Sequence, residues 1–471
     1  MRQIAPEQIP CPIKAQLALR PEAIAIYRHA PDASLSYGEL DQAISGLDLA
    51  QMPAGEAMAV ILEQPLDLIV WLLACLRHRV IFCPINPLFS DQEIQQRCHN
   101  AGIKYYISDN GRHIAGLTKF VAAHRHSHAS AHPNAHQSAH TSAHLALSQP
   151  ATLVFTSGSS GQPKAAQHSL SNHYYSALGS QQLIPFKQAD CWLLSLPLYH
   201  IGGIALVFRA LFAGGSIALG SKNLCQDLAQ FPVSHASLVP TQVYRLLQQE
   251  CGASTLQLRY LLVGGAALSD SLIKLLATQP FASFASYGLT EMSSQVATVK
   301  LGPDTLQPLQ YEILPYRQVS IRDKAIMLSG PCLFMGYREQ GQLRPSPAPL
   351  NSKDSGSLQA QTLQVTGRLD NMFIAGGENV QPEQVEQTLA NFDMVKQAIV
   401  VPIADPEFGQ IAVAYIDWQT QANPQGLSQM CRQHLAPWQR PKHILPWPKW
   451  QGLKPNRKAL QQQAEQILTK S

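Results

Sequence analysis

Charged side chains are scarce in this chain: Asp, Glu, Lys and Arg make up 14% of its 471 residues, and the formal charge is only +4. So small a surplus over such a length is too weak to imply nucleic-acid binding, and none is expected. None of the nine cysteines stands in a Cys-x-x-Cys pair. Their scatter along apolar stretches reads as reduced, mostly buried thiols rather than a disulfide framework. Long apolar runs are missing too. The most apolar early stretch, residues 66–76, is too short to cross a bilayer and is followed at once by Arg77 and Arg79. Residues 1–12 lack the apolar core of a secretory leader. The expectation is a cytoplasmic protein that is not integral to a membrane.

What is present is an ordinary apolar fraction, 45%, in a chain longer than one hydrophobic core usually supports. Short apolar runs at residues 152–155, 192–196, 216–219, 235–239, 260–263 and 281–286 alternate with amphipathic stretches such as 241–249 and 269–277. Strands alternating with helices predict an α/β fold whose sheets are mostly parallel and covered by helices. In such sheets ligands gather at loops leaving the carboxyl ends of the strands. Beyond residue 370 the chain turns into a compact stretch with strand and helix patterns of its own. A large N-terminal domain, 1–369, and a small C-terminal α+β domain, 370–471, are therefore expected, with the boundary at Asp370.

Two segments break the alternation. Residues 124–144 are low-complexity, with His128, His132, His136, His140 and His144 at every fourth position. Helical spacing would align those imidazoles as metal ligands, but Pro133 interrupts any helix and the remaining composition is that of a solvated loop. Residues 338–358, rich in Pro, Ser and Gln, read as surface loop.

The strongest chemical signal is Thr156-Ser-Gly-Ser-Ser-Gly-Gln-Pro-Lys164, directly after an apolar strand. Gly158 and Gly161 permit a tight loop whose amide groups point outward as an anion nest. Thr156, Ser157, Ser159 and Ser160 add hydroxyl donors, and Lys164 adds a charge at the end. The set suits a polyphosphate. It is not the P-loop of kinases, because Pro163 precedes the lysine and Ala165 follows it where Ser or Thr would enter a helix.

At this loop the chain resembles the adenylate-forming superfamily of acyl-CoA synthetases, adenylation domains and luciferases. The resemblance continues in the order of the family's motifs through Leu35-Ser-Tyr-Gly-Glu-Leu40, Leu196-Pro-Leu-Tyr-His200, Ser286-Tyr-Gly-Leu-Thr-Glu291, Gly330-Pro-Cys-Leu-Phe-Met-Gly-Tyr337, Gly367-Arg-Leu-Asp370 and Gly452-Leu-Lys454. Within the superfamily, His235-Ala-Ser-Leu-Val-Pro-Thr-Gln242, Gly264-Gly-Ala-Ala267 and Gly376-Gly-Glu378 look most like the o-succinylbenzoate–CoA ligases of menaquinone biosynthesis.

The resemblance implies an AMP-forming acid–thiol ligase that uses ATP, Mg²⁺ and coenzyme A on a small-molecule acid. It implies that Tyr287 stacks on adenine beside Gly264, Gly265 and Ala266. Thr290 would bond the α-phosphate, and Glu291 would hold the metal ion through a hard oxygen. Asp354 would accept from the ribose hydroxyls and Arg368 would assist there, although residues 351–356 lack the aromatic and Thr-Gly usual before that aspartate. His200 would border the acyl pocket. Lys454 would bridge the carboxylate and the α-phosphate. Rotation of a mobile C-terminal domain about Asp370 would then replace the Lys454 loop with Gly376 and Gly377, beside the thiol's channel. The alternatives are a general aryl-CoA ligase and a carrier-protein-loading adenylation enzyme, which differ only in acid or thiol. Arg209, His235, Ser293 and Gln295 are the candidates for pairing a second, unreacted carboxylate, and oligomeric state is not legible.

Overall fold

A strand such as Ala57–Ile61, in which every residue is apolar and buried, has no face to give to water and must lie inside a sheet covered on both sides. It runs parallel between Ile81–Pro84 and Tyr105–Ser108 in a sheet of eight strands. The computed structural model describes residues 6–29, 34–109, 111–121, 123–124, 143–156, 163–221, 223–248, 257–266, 268–375, 378–405, 408–419, 421–449 and 456–469. The second large sheet has thirteen strands. Its parallel middle is formed by Ala282–Leu289, Tyr260–Val263, His235–Leu238, Cys191–Leu194, Ser216–Leu219 and Ile24–Tyr27. The helices Pro65–Arg77 and Ile201–Phe212 bury their apolar faces in a core shared by both sheets.

Both sheets continue past their parallel parts into antiparallel strands. The first adds Lys164–Ser169, Gly336–Glu339 and Gln342–Pro345. The second adds Ser294–Lys300, Gln310–Ile313, Thr362–Arg368 and Leu350–Gln359. These additions correct one expectation. Residues 338–358 are not a surface loop but carry parts of three strands. Along Leu350–Gln359, Ser352 and Ser355 are buried while Lys353 and Ser357 face solvent, and an antiparallel ribbon with one polar face mimics a loop in composition.

Residues from Phe373 onward build separate cores around a three-stranded sheet of Val395–Asp405, Gly409–Trp418 and His443–Pro446. Alternation along the first of these strands sends Val400 to one face, against Val385 and Leu389. It sends Ile399, Val401 and Ile403 to the other, against Leu460 and Ala464. Among the described residues no helix is long and apolar enough to cross a membrane. Among the described residues seven cysteines are free and buried, as expected. Cys225 is the exception, being disulfide-bonded. Of the histidine tract 124–144, residues 125–142 lie outside the described residues, and His144 opens the strand His144–Ala146.

One ion pair holds the small domain together beneath its sheet. Arg457, the first residue of helix Arg457–Thr469, donates to both carboxylate oxygens of Glu386 at 2.5 and 2.6 Å and to the Val400 carbonyl at 2.7 Å. Burial raises the pKa of Glu386, and the Arg457 charge opposes that rise. Both side chains are partly buried, and removing one partner leaves the other charge unpaired, which costs roughly 3–5 kcal/mol where solvent is fully excluded and less here. Arg457→Ala is expected to lower the stability of the small domain by up to about 3 kcal/mol. Urea unfolding followed by tryptophan fluorescence reads that loss, and a change under about 0.5 kcal/mol would mean that water replaces the guanidinium.

Candidate active site

Thr156 ends the strand Pro150–Thr156 and Lys164 opens Lys164–Ser169. The two residues face each other across the hairpin. Ser157, Gly158, Ser159, Ser160 and Gly161 lie outside the described residues, on the connection between these strand ends. The second strand passes into helix Leu170–Leu183 through a reciprocal cap, in which Ser169 and Asn172 bond each other's backbone amides. Asn172 then donates its side-chain amide to the carbonyls of Pro331 and Leu333 at 2.9 and 2.8 Å. The capping residue thereby ties the hairpin to the segment before Tyr337.

Opposite the hairpin, Ala282–Leu289 carries Tyr287 and turns back into Ser294–Lys300 through the short 3₁₀ turn Thr290–Met292. The return is tight. Ser293 and Ser294 have φ of 53° and 101°, a conformation that costs an L-residue energy unless its surroundings enforce it. Gly288 makes the turn possible, since a Cβ there would lie 2.0 Å from the Ser294 carbonyl oxygen. The backbone carbonyl of Thr290 is bound by His168 Nε2 at 2.7 Å. Burial lowers the pKa of His168 to about 4 against the raising effect of that hydrogen bond, so the ring is neutral at pH 7. The Glu291 carbonyl accepts from the Phe334 amide at 2.8 Å, and its carboxylate from the Tyr337 hydroxyl at 2.7 Å. Thr290 and Glu291 are thus fixed by side chains and backbone from the hairpin and from residues 334–337.

Tyr287 donates its hydroxyl to Asp354 at 2.6 Å, and Arg368 donates to the other oxygen of Asp354 at 3.1 Å. Strand pairing sets this up, because Asp354 and Arg368 are direct partners in the antiparallel ladder. Arg368 also grips Asp370 through two hydrogen bonds of 2.9 Å. Burial raises the pKa of Asp354, opposed by its bonds to Tyr287 and Arg368. Burial also acts against the charge of Arg368, but its bonds to Asp370 and the charge of Asp354 prevail and raise its pKa. Gly264 comes to the same strand from the other side, with room for a Cβ only at 3.0 Å from Ser286 Oγ. Gly265 has φ of 89°, and Ala266 beside it is exposed.

The remaining expected residues stand apart from this cluster. His200 is exposed beside Tyr199, at the N-terminal end of helix Ile201–Phe212. Gly376 and Gly377 lie outside the described residues, between the hairpin strands Phe373–Ala375 and Glu378–Val380. Lys454 also lies outside them, ahead of Arg457. Sequence reasoning passed over Tyr337 and His168. Tyr337 was legible only as part of a motif, and nothing marked His168 beyond its place four residues after Lys164.

Along the same helix as His200, Arg209 is wholly buried. It donates to Ser294 Oγ at 3.3 Å, its Nε has no partner, and no acidic side chain pairs with it among the described residues. Burial, followed by repulsion from Arg317, lowers its pKa to about 9. Arg317 is also buried but spends its hydrogen bonds on the carbonyls of Gln295, Tyr175, Pro315 and Ser176 and on the Ser176 hydroxyl.

Comparison with known proteins places this geometry. The model of AMP-binding enzymes matches residues 13–338, and that of the AMP-binding enzyme C-terminal domain matches residues 384–451. The chain belongs to the AMP-binding enzymes. The enzyme is 34% identical over 417 residues to a 2-succinylbenzoate–CoA ligase of Salmonella typhimurium, covering 85% of each chain. The corresponding protein of Escherichia coli is 32% identical over 459 residues, 94% of this chain and 96% of that one. Among solved structures, a variant of E. coli MenE with bound OSB-AMS superposes with a TM-score of 0.85 at 30% identity, covering 99% of this chain and 100% of that one. The Bacillus subtilis o-succinylbenzoate CoA synthetase in complex with its acyl-adenylate intermediate superposes at 0.80 with 23% identity, covering 97% and 98%, a likeness of fold. The enzyme is accordingly an AMP-forming acid–thiol ligase built on the two-part adenylate-forming architecture.

The Gly288 contact generates a direct test. Gly288→Ala must push the Ser294 carbonyl away and displace Thr290 and Glu291, and misplacement of about 1 Å costs roughly a hundredfold in rate. Diphosphate release in a single turnover is expected to slow by about that factor while the protein remains folded by circular dichroism. A rate within twofold of the parent would show that the turn tolerates the shift.

Proposed function

We propose that the enzyme joins 2-succinylbenzoate to coenzyme A at the expense of ATP, in the cytoplasm and for menaquinone biosynthesis. The observation that carries the choice of acid is Arg209, a buried cation without an acidic partner among the described residues. A buried, unmatched guanidinium is costly unless an anion comes to it. A second carboxylate on the substrate supplies that anion. The other candidates are committed elsewhere. His235 uses both ring nitrogens, on Ser234 at 2.8 Å and the Pro185 carbonyl at 2.9 Å. Gln295 bonds Ser180 and Thr298, and Ser293 donates to the Cys332 carbonyl. A simple aryl acid would leave Arg209 unmatched, which speaks against a general aryl-CoA ligase. The names borne by relatives that align over nearly the whole chain support the same acid.

In the first half-reaction a carboxylate oxygen attacks the α-phosphorus of ATP and diphosphate leaves. The proposed nest at residues 156–161, with Lys164, holds the polyphosphate. Thr290 bonds the α-phosphate, while Tyr287, Gly264, Gly265 and Ala266 receive the adenine. Asp354 and Arg368 meet the ribose. Lys454 brings its charge to the crowding oxygens, and His200 borders the acyl group. Among the described residues no group of three or more His, Cys, Asp or Glu is assembled to hold a metal ion. That fits Mg²⁺, which takes one or two carboxylates plus substrate phosphates, with Glu291 as the protein's ligand. Bound there, it offsets the charge of the phosphates. In the second half-reaction the thiol of coenzyme A attacks the acyl carbon and AMP leaves. Gly376 and Gly377 leave room for the pantetheine arm once the small domain, residues 370–471, has turned about Asp370.

Arg209→Gln tests the acid. Breaking a buried charge pair costs about 3–5 kcal/mol, or roughly 10²-fold to 5 × 10³-fold. The kcat/KM for 2-succinylbenzoate is expected to fall by about that factor, while the slow turnover of benzoate stays near its original level. Equal losses for the two acids would remove Arg209 from recognition of the acid.

A further inference from the structure

Residues 334–337 hold Glu291 twice over. The Phe334 amide bonds its backbone carbonyl at 2.8 Å, and the Tyr337 hydroxyl bonds its carboxylate at 2.7 Å. Glu291 sits in the turn next to the strained Ser293 and Ser294. With three side-chain torsions and a half-exposed position, its carboxylate has little else to fix it. The Tyr337 ring packs edge-on against Phe334 at 4.8 Å. The ammonium of Lys164 lies over the same ring, 5.0 Å from its centre, within cation–π range. Strand pairing determines these positions. Tyr337 is the ladder partner of Ala166, two residues beyond Lys164, and Ala166 lies on the strand that ends the phosphate loop. One aromatic side chain therefore touches the loop's lysine with its face and the glutamate with its hydroxyl.

We propose that Tyr337 is a positioning residue for adenylate formation: it aims the Glu291 carboxylate at the metal ion on the ATP phosphates and steadies Lys164 beside them. The proposal rests on Glu291 as the metal ligand. With one carboxylate oxygen held by the Tyr337 hydroxyl, the other is presented in a fixed direction. A monodentate carboxylate suits an ion that keeps most of its shell from water and phosphate. The phenol acts here as the hydrogen-bond donor to that carboxylate. Its ring serves separately, as a surface for Lys164.

Tyr337→Phe removes the hydroxyl and keeps the ring, its packing on Phe334 and its contact with Lys164. The probe is Mn²⁺, whose binding to the enzyme with a non-hydrolysable ATP analogue is read by electron paramagnetic resonance. Loss of one hydrogen bond to a charged group weakens Mn²⁺ binding in that complex by about tenfold. The metal concentration that half-saturates diphosphate release rises to match, and kcat returns at saturating metal. A merely structural tyrosine would not give that split between metal dependence and kcat. Unchanged Mn²⁺ binding in Tyr337→Phe, with weakened binding in Glu291→Gln, overturns the role of Tyr337 and leaves Glu291 as ligand. Unchanged binding in both variants overturns the metal assignment and this inference with it. Tyr337→Leu, which also removes the ring, is expected to add a several-fold weaker binding of the nucleotide measured without metal, since Lys164 loses its support. If Tyr337→Leu binds metal-free nucleotide as the parent does, the Lys164 part of the proposal falls.

Discussion

Arg368 has two carboxylates to satisfy, and much of the proposed chemistry depends on how it is shared. In the antiparallel ladder it stands opposite Asp354, which also holds the Tyr287 hydroxyl, and two residues on it grips Asp370. The first carboxylate is the proposed ribose acceptor and the second the proposed hinge. A planar guanidinium with five donors can serve both at once, as lysine could not. On the proposed reading, nucleotide entering beside Asp354 meets a group that also holds Asp370, the proposed hinge. The Arg368 carbonyl accepts from Gln381 at 2.7 Å, so even the backbone of this residue is tied to the segment beyond the proposed hinge.

The remaining constraints are steric and electrostatic. A turn that places Thr290 and Glu291 between two strands closes only because Gly288 has no side chain and because Ser293 and Ser294 accept positive φ. His168 donates its Nε2 proton to the Thr290 carbonyl, and burial keeps the ring neutral while it does so. Behind the same turn, Arg209 keeps its charge among aromatic side chains, with Trp192 centred 5.6 Å from its guanidinium. It is the feature least consistent with a site built for a purely apolar acid.

The sequence was most legible where one residue pattern has one physical outcome. Runs such as 216–219 and 260–263, mostly apolar, became largely buried parallel strands with those bounds. Polar strands at the sheet margins were the blind spot. Leu350–Gln359 alternates buried and exposed residues over an ordinary loop composition, so Asp354 had to be located by its neighbours although its ladder partner is Arg368. Tyr337 and His168 escaped because their work depends on contacts 46 and 122 residues away in the chain, which no local pattern records. Arg209 was one of four candidates in the sequence, and only the hydrogen bonds of the other three separate it from them.

The central claim is that two half-reactions use different parts of the small domain at one nucleotide site, and Lys454→Ala tests it most directly. With ATP and acid, formation of the acyl-adenylate in a single turnover is expected to slow by about 10²–10³-fold, the usual cost of losing one preorganised electrostatic group. Given pre-made acyl-adenylate and coenzyme A, the same protein is expected to form thioester at a rate within a few-fold of the parent, because Lys454 has turned away by then. Equal loss of the two steps would contradict the alternation of the Lys454 and Gly376-Gly377 loops about Asp370.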